Sequence, residues 1–125
     1  MSYAQRMAQM NPSTPGFDLA ALLACIDRAQ ACTACADACL GEQGTQMLAR
    51  CIRLALDCPD LCDATGKISS RQPVTNPTMP RAARQECKPC GDECGQRGRQ
   101  HCAACAEACR RCEQACYALL QSLAA

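Results

Sequence analysis

The sequence predicts an all-α protein: an antiparallel four-helix bundle with a cysteine-lined core and a short extra helix at the N-terminus. Fifteen of the 125 residues are cysteines, and most of them recur at spacings of three, four or seven residues. Because an α-helix turns once in ~3.6 residues, these spacings put the sulfur atoms on one helix face. Glycines and prolines divide the chain into four such segments, and none of them alternates as a strand would.

The N-terminal residues 1–16 are weakly helical and are predicted to form either a tail or a short helix. Prolines and a glycine in residues 12–16 end this stretch, and Thr14 is a suitable N-cap with Pro15 at the first helical position. The first long helix is then predicted over residues 17–40. Its four cysteines are spaced seven, three and four residues apart, and leucines widen its apolar face.

The second helix is predicted over residues 43–65, with Gly66 closing it and Pro59 inside the pattern. A proline inside a helix removes one hydrogen bond and bends the axis. Residues 67–80 contain three prolines. We expect them to form an ordered surface crossover, since neither half of the chain has an independent core.

The third helix is predicted over residues 81–94, where Pro89 leaves two alternatives: a kink in this helix, or a start near Lys88 with a separate turn before it. The fourth is predicted over residues 100–123. Its five cysteines are spaced three, four, three and four residues apart, with no glycine or proline between them. Short connections after the first and third helices predict two antiparallel hairpins, which form one bundle domain over residues 17–125.

The overall charge and hydropathy exclude several classes of function. The net charge is +1, whereas a nucleic-acid or anionic-membrane partner would favour a basic face. No apolar run approaches the ~20 residues of a membrane span. The sequence also shows no catalytic acid–base pair. We therefore expect no nucleic-acid partner, no membrane partner and no enzymatic activity.

The cysteine density first suggests a secreted disulfide scaffold. The odd number of cysteines opposes this class, and so does the N-terminus, which lacks the basic region and apolar run of a signal peptide. Cysteines one helical turn apart also have Cβ atoms ~5–6 Å apart, whereas a disulfide needs ~3.5–4.5 Å. We therefore expect reduced thiols and a cytoplasmic protein, with disulfides between helices left open.

Thiolates one helical turn apart suit a soft metal ion such as Cu(I). Two metal–sulfur bonds of ~2.3 Å span about 4.5 Å, which side chains at i and i+4 can supply. Five C-x-x-x-C pairs have this spacing: Cys35/Cys39, Cys58/Cys62, Cys90/Cys94, Cys105/Cys109 and Cys112/Cys116. Zinc is the main rival, but it needs four ligands in a closed tetrahedron, and a continuous stripe favours many adjacent ions. Packing alone would not explain so many cysteines.

One end of the predicted bundle carries different ligands. In an up-down-up-down bundle, the second and fourth helices start at the end where the first and third finish. Met47, His101, Cys39 and Cys94 are therefore expected to cluster at one mouth. A thioether and an imidazole are weaker, exchangeable copper ligands that suit loading. The alternatives are that Met47 fills the core and that His101 is a surface residue.

The stretch HCAACAEACRRCEQAC, with the preceding CKPCGDEC, resembles the cytosolic branch of the cysteine-rich four-helix-bundle copper storage proteins. The resemblance is close over residues 87–116 and is supported by the cysteine register over residues 25–62. It implies a thiol-lined interior that holds many Cu(I) ions, mostly through the C-x-x-x-C pairs, and a homotetramer. It also implies that ions are admitted at the end that carries His101. Arg97 and Arg99 stand where some relatives have further histidines.

The sequence therefore favours cytoplasmic storage and sequestration of multiple Cu(I) ions, which limits copper toxicity and holds copper for later use. The expected partners are copper ions and a copper chaperone or small-thiol carrier. A zinc or soft-metal buffer and a thiol redox sensor are the alternatives. The predicted metal ligands are all fifteen cysteines with one histidine and one methionine: Cys25, Cys32, Cys35, Cys39, Cys51, Cys58, Cys62, Cys87, Cys90, Cys94, Cys102, Cys105, Cys109, Cys112, Cys116, His101 and Met47.

Overall fold

The computed structural model describes residues 2–12, 20–71 and 75–124 of the chain. Within these residues all regular structure is helical, which confirms the predicted all-α class. The helices follow one another in this order: α1 Tyr3–Gln9, α2 Ala20–Leu40, a 3₁₀-helix Thr45–Leu48, α3 Ala49–Ser69, α4 Thr78–Gly95 and α5 Gln100–Ala124.

The four long helices α2 to α5 form the predicted antiparallel bundle. Helix α2 packs on α3 and α5, and α4 packs on the same two helices. Sulfur contacts show the opposite directions of α2 and α5, since Cys25 meets Cys112 whereas Cys39 meets Cys102. Short connections after α2 and after α4 make two hairpins, and the cysteine stripes of all four helices face the enclosed core.

The N-terminal stretch forms the short extra helix α1. Ser2 and Gln5 make a capping box, in which the Gln5 N–H donates to Ser2 Oγ at 3.2 Å and the Ser2 N–H donates to Gln5 Oε1 at 2.8 Å. The predicted N-cap at Thr14, Pro15 and the predicted start of the first long helix at residue 17 lie outside the described residues.

The predicted end of the second long helix at Thr65 is wrong, because α3 continues through Gly66 to Ser69. Gly66 is buried against α2, where a Cβ would lie 3.9 Å from the Cβ of Cys25. Gly66 therefore lies inside the packed helix, at ordinary van der Waals distance from α2, and does not end it. The end of α3 is made by Ser70, whose N–H and hydroxyl donate to the Gly66 carbonyl at 3.0 and 2.9 Å.

Helix α3 also begins later than the prediction, which starts it at residue 43. Gly44 has a φ of 74°, a left-handed conformation that interrupts a right-handed helix and favours glycine. The 3₁₀-helix follows and places Leu48 fully inside the core before α3 begins at Ala49.

Helix α4 begins at Thr78, three residues before the predicted start. Asn76 Oδ1 accepts a hydrogen bond from the Thr78 N–H at 2.9 Å. Pro80 lies in the first turn, where an N–H would have no helical partner in any case. The two ends of the predicted crossover over residues 67–80 are therefore helical, as parts of α3 and α4, and residues 72–74 within it lie outside the described residues.

Two prolines lie beyond the first turn of a helix, Pro59 in α3 and Pro89 in α4, and both helices continue through them. The alternative of a separate turn before Lys88 is wrong, since α4 is unbroken from Thr78 to Gly95. Each proline removes one backbone hydrogen bond. Tertiary packing offsets this cost, and Pro59 itself is buried.

Candidate metal centre

The core of the bundle consists mainly of thiols. All fifteen cysteines are unbridged, and none is more than 1% exposed. They form two groups. The mouth-side thiol group has ten members: Cys32, Cys35, Cys39, Cys51, Cys58, Cys90, Cys94, Cys102, Cys105 and Cys109. The far thiol group has five: Cys25, Cys62, Cys87, Cys112 and Cys116.

Four sets of cysteines have all their Sγ atoms within 4.8 Å of one another: Cys32, Cys90, Cys105 and Cys109; Cys35, Cys39, Cys51 and Cys102; Cys35, Cys94 and Cys105; and Cys25, Cys62 and Cys112. Two sets have the four ligands that zinc prefers. However, Cys35 and Cys105 each belong to two sets, which joins three sets into one continuous run of sulfurs. Shared thiolates that bridge neighbouring ions suit clustered Cu(I) better than isolated tetrahedral zinc.

The sets connect different helices more often than successive turns of one helix. Of the five predicted C-x-x-x-C pairs, only Cys35/Cys39 and Cys105/Cys109 fall within a set. The shortest contact between two cysteine sulfurs, 3.0 Å, joins Cys51 on α3 to Cys94 on α4. Periodicity shows which residues share a face of one helix, and it therefore could not have predicted which thiols meet across the core.

The imidazole of His101 lies beside the mouth-side thiol group. Its Nδ1 is 3.5 Å from the Sγ atoms of both Cys35 and Cys102, and its Nε2 is 3.0 Å from Glu42 Oε1. Hydrogen bonding to Cys35 and Glu42 raises the pKa of His101. Hydrogen bonding to His101 in turn lowers the pKa of Glu42, which also lies 3.6 Å from Arg99 Nε. Glu42 thus orients the imidazole with Nδ1 towards the thiols.

Met47 is placed differently from His101. It lies in the 3₁₀-helix at the mouth, but its side chain is 77% exposed, whereas the adjacent Leu48 is fully buried. The alternative in which Met47 fills the core is therefore wrong. Arg97 forms an ion pair with Glu93 on α4.

Burial controls the protonation of several mouth-side thiols. It raises the pKa of Cys51 to about 11, and the pKa values of Cys39 and Cys102 to about 12. These thiols are protonated near neutral pH, so a metal ion must displace their protons when it binds. Hydrogen bonds from Cys105, Cys94 and His101 instead lower the pKa of Cys35.

Arg28 is the core residue that the sequence analysis missed. It is 0% exposed. Its Nε donates to Cys109 Sγ at 3.4 Å, and one terminal nitrogen donates to Cys62 Sγ at 3.2 Å and to the Ala83 carbonyl at 3.3 Å. The other terminal nitrogen donates to Cys58 Sγ. The guanidinium group therefore joins sulfurs of both thiol groups.

A sequence signal for Arg28 exists in the seven-residue gap of the first cysteine stripe. Arg28 stands three residues after Cys25 and four before Cys32, so it occupies the stripe position that the gap leaves open. Burial acts to lower the pKa of this arginine, but the thiolate forms of Cys62, Cys87, Cys58 and Cys109, when they ionise, raise it overall. The side chain is thus a permanent cation inside the core.

None of the described helices is long and apolar enough to cross a bilayer.

A family model described as "Copper storage protein" matches residues 18–121. A curated relative, the uncharacterized cysteine-rich protein YhjQ of Bacillus subtilis, is 35% identical over 97 residues, which are 78% of this chain and 90% of that protein.

Solved structures of copper storage proteins have the same architecture. The protein of Streptomyces lividans loaded with 10 copper equivalents is 40% identical, covers 94% of this chain and 98% of its own, and superposes with a TM-score of 0.85. A structure described as a cytosolic copper storage protein from Streptomyces lividans with five coppers has a TM-score of 0.78 at 40% identity and covers 94% of each chain. Apo copper storage protein 3 of Bacillus subtilis is 35% identical, covers 83% of this chain and 99% of its own, and has a TM-score of 0.76.

Proposed function

The chain belongs to the copper storage protein family, and we propose that it stores and sequesters multiple Cu(I) ions as thiolate clusters inside its bundle. The fifteen buried, unbridged thiols carry this proposal above all. Storage limits copper toxicity and holds copper for later use. The protein acts by binding alone. It does so in the cytosol, as the description of its Streptomyces lividans relative as a cytosolic protein suggests.

The proposed ligands are the fifteen cysteines. One ion per two thiolates gives a minimum of roughly seven Cu(I) per chain, and bridging sulfurs raise that number. Overlap of the sets through Cys35 and Cys105 supports bridging. Copper reaches and leaves the store through a copper chaperone or a small-thiol carrier, and the resemblance to the family supports a homotetramer.

We expect reduced, anaerobic protein to take up more than seven Cu(I) per chain against a competing chelator, and to prefer Cu(I) to Zn(II) in a parallel titration. The same protein with its thiols alkylated is the control and should take up none. Saturation at about three or four ions, with zinc bound as tightly as copper, would mean separate tetrahedral sites and a soft-metal buffer.

A thiol redox sensor remains the second alternative. Sensor cysteines are exposed and have a low pKa, whereas each thiol here is at most 1% exposed. Fast reaction of one or two thiols of the apo protein with peroxide would favour the sensor over the store.

We further propose that His101 is a copper ligand at the mouth, through the Nδ1 that faces Cys35 and Cys102. The His101→Ala variant should take up Cu(I) more slowly than the parent, because the mouth loses the exchangeable imidazole that receives the ion before the thiols do. Total capacity should fall by no more than one ion, since the deeper thiols are untouched. Stopped-flow transfer from a coloured Cu(I)–chelator complex measures both quantities.

Met47→Leu is the matched variant at the same mouth. Because the Met47 side chain is 77% exposed, its removal should leave the uptake rate near that of the parent. A rate as slow as that of His101→Ala would instead make Met47 the mouth ligand that the sequence predicts. Equal rates for all three proteins would exclude a loading role for His101.

A further inference from the structure

Arg28 is a buried cation without a carboxylate partner. Its hydrogen bonds go to three cysteine sulfurs and one backbone carbonyl. Among the described residues, no Asp or Glu side chain forms an ion pair with it. A charge removed from water is strongly destabilising unless an opposite charge compensates it. The apo core therefore contains a positive charge whose natural counter-charge is a thiolate.

Metal loading creates such counter-charges. Each Cu(I) brings one positive charge, and each thiol that becomes a ligand releases one proton to solvent. A cluster with equal numbers of ions and thiolates is neutral. Whenever two-coordinate ions use more thiolates than there are ions, the cluster carries a net negative charge. In a core closed to water that charge needs a nearby cation.

The position of Arg28 fits this requirement. Its three sulfur partners are Cys58 and Cys109 of the mouth-side thiol group and Cys62 of the far thiol group. Cys109 and Cys62 each belong to one of the cysteine sets. The guanidinium group is fully buried and lies where the two thiol groups meet, so it can neutralise clusters on either side.

We propose that Arg28 is the built-in counter-cation of the stored copper: it stands at a stripe position between Cys25 and Cys32 and balances the excess thiolate charge of the clusters next to it. This inference rests on the proposed copper storage. Arg28 binds no metal itself; it acts through Cys58, Cys62 and Cys109, and is therefore a positioning and charge-balancing residue.

Three variants test whether the positive charge of Arg28 strengthens Cu(I) binding. Arg28→Leu removes it, Arg28→Lys retains it, and Arg53→Leu removes an arginine charge from the exposed surface of α3. We expect Arg28→Leu to weaken Cu(I) binding by about tenfold or more in chelator competition, because an opposite charge within a few ångströms is lost. Arg28→Lys should restore most of the affinity, and Arg53→Leu should leave it unchanged. Equal affinities for Arg28→Leu and Arg28→Lys, whether reduced or not, would overturn the proposal.

The net charge of the loaded protein gives a readout that a merely structural role would not move. Without the arginine, one thiolate near it is expected to stay protonated, so that one positive and one negative charge are lost together. Copper-loaded Arg28→Leu should therefore have the same net charge as the loaded parent and migrate with it in anaerobic capillary electrophoresis. Loaded Arg53→Leu should differ from the parent by one full charge. A full-charge difference for loaded Arg28→Leu together with the Cu(I) affinity of the parent would overturn the proposal, because the excess thiolate charge would then need no cation.

Two controls keep the outcomes distinct. Far-UV circular dichroism checks that each apo variant is folded, and Arg28→Gln, which keeps hydrogen-bond donors without the charge, replaces Arg28→Leu if the leucine variant does not fold. If the parent itself saturates at a few ions, copper storage fails. If all variants load many ions with equal affinity, only the role of Arg28 fails.

Discussion

The Cys105→Ala variant should lose about two Cu(I) ions of capacity, more than any single substitution at an unshared thiol, because its sulfur belongs to two sets and can bridge their ions. Its Sγ lies 3.4 Å from that of Cys32 and 3.7 Å from that of Cys94. Removing it therefore takes a ligand from both sets and breaks the continuous run of mouth-side sulfurs. Anaerobic Cu(I) titration against a competing chelator measures the loss.

Cys116→Ala is the matched control. Cys105 and Cys116 are both 0% exposed and both lie on α5, so each substitution deletes one buried sulfur of the same size from the same helix. Cys116 belongs to none of the sets among the described residues and has its sulfur 4.0 Å from that of Cys112. We expect it to lose at most one ion. Equal losses for the two variants would mean that the sets do not determine how copper is held.

The cysteine stripes made the fold predictable because their period is a property of the helix itself. A sulfur at every third or fourth position of α5 can face a common core only if that segment is helical. The same local rule placed the thiols inside and His101 beside them. It therefore gave the all-α class, the bundle and the class of ligand before any contact between helices was known.

Contacts between helices determine the features that the sequence did not predict. Gly66 reads locally as a helix end, yet it lies inside α3, where it packs against α2 at ordinary van der Waals distance. Arg28 stands on the cysteine stripe but is a residue type that is rarely buried, and it is fully buried among sulfurs. In both cases tertiary packing overrides residue preference, and the pairing of thiols across the core depends on the same packing.

Gly91 shows how closely the helices that carry the thiols must approach. It lies next to Cys90 in α4, and a Cβ at this position would be 3.2 Å from the Cβ of Cys109 and 3.7 Å from the Ala106 carbonyl oxygen. A β-branched side chain has no space there unless α4 moves away from α5. Such a movement would also separate Cys90 from Cys105 and Cys109, its partners in one of the sets.

We therefore expect Gly91→Val to destabilise the reduced apo protein by about 3 kcal/mol, at the upper end of the usual cost of overpacking. That corresponds to a fall in melting temperature of roughly 10 °C for a domain of this size, measured by far-UV circular dichroism. The variant should also bind its mouth-side Cu(I) more weakly, because one set of four sulfurs is spread apart. Both effects have one cause, so they should appear together.

Gly95→Val is the control, since it makes the same change on the same helix where space is available. The closest neighbour of a Cβ at Gly95 is the Cβ of Ala106 at 4.0 Å, an ordinary van der Waals distance. Its melting temperature and copper affinity should stay near those of the parent. If Gly91→Val melted like Gly95→Val, α4 and α5 could separate without cost. The sulfur sets would then be held together by the metal rather than by the fold, and copper affinity would lose its dependence on helix packing.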